Sequence, residues 1–98
     1  MTTRVAVISI IVEDGIATEK INEYLHKYKQ YILGRMGIPY KERKISVISV
    51  VLDASEDKIS ALSGQLGRLS GVSTKTVYSH KLFESFDFEG EYNEWINR

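Results

Sequence analysis

The chain is 98 residues long, enough for one domain and one hydrophobic core but not for two. Its 13 basic and 13 acidic residues cancel, so overall charge gives no reason to expect nucleic acid or an anionic membrane as a default partner. It has no cysteine, which excludes a disulfide framework and any thiolate metal or iron–sulfur site.

Arg4 to Val12 is almost continuously apolar and β-branched, as expected of a strand buried on both faces, and is too short to span a bilayer. No cationic leader precedes it, and a cytoplasmic protein is expected. A turn at Glu13-Asp14-Gly15 follows. Ile21, Tyr24, Leu25, Tyr28 and Ile32 then recur at helical spacing, predicting an amphipathic helix from about Ala17 to Gln30. Ile32 to Ile38 reads as a second strand, interrupted by two glycines and ended by Pro39, which suits a sheet edge. After the basic turn Lys41 to Lys44, Ile45 to Leu52 forms a third strand as apolar as the first. Asp53 or Ser55 is placed to cap a second helix that begins near Glu56.

In that helix Ile59, Leu62, Leu66 and Leu69 share one face, and Gly71 stands where a left-handed turn should end it. Val72 to Tyr78 is rich in β-branched residues and predicts the last strand. The order is βαββαβ: an α+β, ferredoxin-like sandwich whose antiparallel-type sheet carries two helices on one face, with strands one and three central, followed by a C-terminal tail. The domain is taken as residues 1–81. Residues 82–98 form an acidic, aromatic extension containing Phe83, Phe86, Phe88, Tyr92, Trp95 and Ile96. Its net −4 complements the +4 of residues 1–81, so it should dock on its own subunit, on a neighbour or on a separate protein.

Two punctuation marks, Asp14-Gly15-Ile16 and Leu69-Ser-Gly-Val72, resemble those of ACT-type regulatory domains. More specifically, Asn22-Glu-Tyr-Leu-His26, Arg35-Met-Gly-Ile-Pro39, Ala61-Leu-Ser-Gly-Gln-Leu-Gly67 and Gly71-Val-Ser-Thr-Lys-Thr76 resemble the iron-only hydrogenase system regulators. That resemblance covers roughly Arg4 to Tyr78. It implies an ACT-like fold related in shape to the effector domain of the nickel-responsive repressor, and a non-enzymatic regulatory role in a hydrogenase-related context. It also implies that a small effector such as an amino acid binds between subunits.

Candidate sites follow from the residues. The turn Glu13, Asp14, Gly15 and Ile16 offers backbone access beside a helix N-terminus and is the expected effector site, although its two acids would repel an anion. Its plain alternative is an ordinary capped turn. Gly64 and Gly67 inside a helix imply close packing or ligand contact; their GxxG spacing matches KH nucleic-acid clamps, but the element order does not. His26 and His80 share no metal-ligand spacing, so neither a metal nor a cofactor is expected. No serine sits beside a credible base and no DNA-reading element is present, so neither catalysis nor direct DNA binding is expected.

Both faces of the central strands are apolar. Ala6, Ile8, Ile10, Val12, Ile48, Val50 and Leu52 occupy one; Val5, Val7, Ile11, Ile45, Val47 and Val51, with Ser9 and Ser49, occupy the other. Helices can cover only one face. The second set is therefore the expected interface of a homo-oligomer, a dimer or tetramer joined isologously, with Phe86, Phe88 and Trp95 of the tail contributing. A protein partner is the remaining possibility, as is a plain oligomerisation or docking module without an effector.

Overall fold

In the computed structural model, residues 2–84 are described. They form β1 (Thr2–Val12), α1 (Thr18–Lys27), β2 (Ile32–Tyr40), β3 (Ile45–Ala54), α2 (Glu56–Gly67), β4 (Val72–Tyr78) and a short β5 (Phe83–Glu84). The sheet is antiparallel, in the order β2-β3-β1-β4, with β5 also paired to β1. This is the ferredoxin-like βαββαβ arrangement, with the two most apolar strands at its centre and β2 at an edge.

Alternation along the strands separates two faces. Ala6, Ile8, Ile10 and Val12 of β1 and Ile48, Val50, Leu52 and Ala54 of β3 are buried together with Ile21 and Leu25 of α1 and Ile59, Leu62 and Leu66 of α2. Burial of each large side chain contributes about 1.5–3 kcal/mol relative to exposure. Both helices therefore lie on the face of the first apolar set, and among the described residues no helix covers the face of Val5, Val7, Ile11, Val47 and Val51.

Several boundaries differ from those the sequence suggests. The first helix is shorter than Ala17 to Gln30 because a 3-10 turn precedes it at Gly15–Ala17 and another follows at Lys29–Tyr31. Tyr28 and Tyr31 keep the apolar period by packing against the core after α-helical geometry has ended. Pro39 does not end β2, which runs on to Tyr40; on an edge strand its missing N–H is tolerated. β2 also carries an irregularity between Ile32 and Gly34, with Leu33 unpaired. Asp53 lies within β3, and Ser55 alone caps α2, its hydroxyl accepting from the Lys58 amide at 3.4 Å.

β5 continues along the β4 side of β1 after a break. At the break the Ser79 amide donates to the Val5 carbonyl at 2.8 Å, while the Ser79 hydroxyl accepts the Val5 amide at 3.1 Å and donates to the Lys81 carbonyl at 2.9 Å. Phe83 and Glu84, placed with the extension on sequence grounds, thus pair with Thr3 and Thr2. Phe86, Phe88, Tyr92, Trp95 and Ile96 lie outside the described residues.

Candidate functional site

The two sequence marks, distant along the chain, meet at one end of the sheet. Asp14 is extended at the end of β1, and its carboxylate accepts the Ile16 amide at 3.0 Å, capping the 3-10 turn. The neighbouring Glu13 amide donates to the Gly71 carbonyl at 2.7 Å. Gly71 holds φ at +74°, and a Cβ on it would stand 2.6 Å from the Asp14 Cβ. Gly15, by contrast, has open space around it, and Ile16 is exposed. The loop thus offers access, but Asp14 already occupies an amide that an anionic ligand would seek. With Glu13 beside it, this turn favours an amine over a carboxylate.

The helix glycines have different surroundings. Gly67 faces β4, where a Cβ would come 3.1 Å from the Thr74 hydroxyl; Gly64 would meet only the far end of Arg68, at 3.5 Å. α2 is further tied to β4 by hydroxyls. Thr74 donates to the Ser63 carbonyl at 3.3 Å, and Thr76 donates to the Ser63 hydroxyl at 3.0 Å. Gly64→Ala is therefore expected to stabilise the chain by up to about 1 kcal/mol, the helix-propensity difference, in urea denaturation. Gly67→Ala should lose that gain to crowding against Thr74.

A groove that sequence reasoning missed runs between α1 and β2. Two concavities of about 330 and 250 Å³ share Asn22 and Arg35. The Arg35 guanidinium donates to the Asn22 side-chain carbonyl at 3.1 Å. His26 and Lys29 line one end; Thr18, Gly37 and Ser46 line the other. Beyond the helix, interaction with Lys58 and then Gln30 lowers the Tyr31 phenol from its usual value, and the Lys58 ammonium in the first turn of α2 stands 5.2 Å from the centre of the Tyr31 ring.

The open sheet face carries the residues expected at an interface. Ile11 and Val47 are exposed, Val5, Val7 and Val51 half-buried; register places Met36, Ile38 and Tyr40 of β2 and Val77 of β4 on the same face, with Met36 at 60 % and Val77 at 69 % exposure. Phe86, Phe88 and Trp95 lie outside the described residues. Asp53 also belongs to this face, opposite Val5, yet is only 7 % exposed, and among the described residues neither of its carboxylate oxygens has a hydrogen-bond partner. Among the described residues, no group of three His, Cys, Asp or Glu side chains is placed to hold a metal, and no helix is long and apolar enough to cross a membrane.

Comparison with known proteins agrees with the motifs. Among solved structures, the uncharacterized protein TM1266 from Thermotoga maritima is 40 % identical with a TM-score of 0.74, the match covering 78 % of this chain and 96 % of that one. A formyltetrahydrofolate deformylase from Pseudomonas putida KT2440 shares the fold at a TM-score of 0.56 and 11 % identity, over 74 % of this chain but only 28 % of that enzyme. No curated protein matches. The TM1266-like family model, described as "Iron-only hydrogenase system regulator, putative", matches residues 4–76, and the chain belongs to that family.

Proposed function

We propose that the chain is a non-enzymatic regulatory domain of a hydrogenase-related system, working through self-association or docking to another protein, with a small effector biasing that association. The observation that carries this reading is the open sheet face. The two helices bury the central strands on the opposite face, whereas on this one Ile11, Val47 and Ile38 stand side by side across three strands and Met36 and Val77 add further exposed apolar surface. Such a face is characteristic of an interaction surface. A second copy related by a two-fold axis would bury the same patch on both subunits. The accessible Glu13–Ile16 turn supports an effector site, and its acidity suits an effector carrying an ammonium, as an amino acid does.

Sedimentation at micromolar concentration is expected to show a dimer or larger assembly. Ile11→Glu, which places a charge on the exposed part of this face, should weaken association by at least tenfold while circular dichroism retains the αβ spectrum. A monomeric parent protein would rule out self-association and leave docking to another polypeptide. An oligomer whose melting temperature responds to no amino acid or other small molecule would favour the plain oligomerisation module. A ligand present at 100 times its Kd should add about 2.7 kcal/mol of stability.

A further inference from the structure

We propose that the groove between α1 and β2 binds a small anion carrying a short apolar body, at a site separate from the Glu13–Ile16 turn. Its charge is one-sided. Arg35 and Lys29 supply it, the His26 imidazole lies beside them, and no carboxylate of the described residues lines the groove. Among the described residues the Arg35 guanidinium makes one hydrogen bond, to Asn22, which orients it between the two concavities and leaves most of its five donors available. A planar, oriented guanidinium without a carboxylate partner is suited to a carboxylate or phosphate.

The remainder of the groove defines the rest of the ligand. On one side of Arg35, Leu25 and Ile32 flank the basic end; on the other, Pro39 and Ile48 give an apolar wall, relieved by the hydroxyls of Thr18 and Ser46. Gly37 lines this second half, and a Cβ added there would meet nothing within 4 Å. The space above it is therefore open to a ligand and could be filled by a side chain without backbone strain. With no acid to receive an ammonium, the groove selects an anion without an amine. This is opposite to the preference of the acidic turn at Glu13 and Asp14.

The test is amide-resolved NMR titration of the full chain with isovalerate, acetate and isopentylamine. Isovalerate is expected to shift the Asn22, Arg35 and Gly37 signals and to bind about tenfold more tightly than acetate, reflecting its additional buried methyl and methylene groups. Isopentylamine, with the same apolar body and opposite charge, should leave those signals in place. Arg35→Gln should weaken both carboxylates at least tenfold; Gly37→Val should remove the advantage of isovalerate while acetate still binds. Equal affinity for the amine, unchanged binding in Arg35→Gln, or no response to either carboxylate would overturn the proposal. Sedimentation of the same samples keeps the outcomes distinct: an intact oligomer with a silent groove defeats this inference alone, whereas a monomer with a responsive groove defeats only the self-association reading.

Discussion

Gly71→Ala is expected to destabilise the chain by about 2–4 kcal/mol. A non-glycine residue in left-handed geometry costs about 1–2 kcal/mol, and crowding in a packed site adds about 1–3 kcal/mol. Both apply here. Gly71 sits at φ +74°, and its new Cβ would be 2.6 Å from the Asp14 Cβ and 3.2 Å from the Asp14 amide nitrogen. Because the Glu13 amide is bonded to the Gly71 carbonyl, neither segment can withdraw without losing that hydrogen bond. The melting temperature should fall by on the order of 10 °C or more for a domain of this size. Asp14→Gly in the same chain removes the Cβ contact but not the backbone strain, so the double variant should be less destabilised than the sum of the two single changes. Strict additivity in urea denaturation would show that the two turns are not coupled through this contact.

Asp53→Val is expected to act in the opposite direction, stabilising the chain by about 1–3 kcal/mol. The carboxylate is shut away from water with no donor among the described residues on either oxygen, so desolvation of a polar group is uncompensated. Valine fits the pleated position, with Val51 two residues earlier and Val5 directly across on β1. Asp53→Asn should gain less, because an amide in the same place still lacks partners. A higher melting temperature for the valine variant supports this account; a lower one would show that the carboxylate is satisfied in the assembled protein and contributes to its interface.

The architecture was legible because each element has its own local signal. A run rich in β-branched residues marked β4 at its observed ends, and the continuous apolar runs of β1 and β3 matched their central positions. Several boundaries were less visible, among them the end of α1 and the end of β3. The tyrosines after α1 maintain a helical period through a 3-10 turn, since packing against the core depends on where a side chain points and not on which hydrogen bonds its backbone makes. Asp53 resembled a cap because a buried strand residue with an unpartnered carboxylate runs against the ordinary preference for solvating charge. The groove was not legible at all. Arg35 sits in a glycine-interrupted strand, Asn22 thirteen residues earlier in a helix, and only the packing of α1 against the sheet brings them into contact. By contrast, Gly15 and Gly71 were both identifiable as turn residues, but their meeting belongs to the tertiary structure.

The pairing of β1 has a consequence for how the chain acquires its structure. One edge of β1 is completed by β4 and β5, through contacts that join residues 74 positions apart at Val5 and Ser79 and 82 positions apart at Thr2 and Glu84. During synthesis this apolar strand emerges early and waits for nearly the whole described chain before that edge can close. Long-range pairings of this kind slow folding, toward the millisecond-to-second range among small domains, and expose strand edges to other chains in the interval. Nascent molecules should therefore be most vulnerable to aggregation just before the Val72–Tyr78 segment leaves the ribosome.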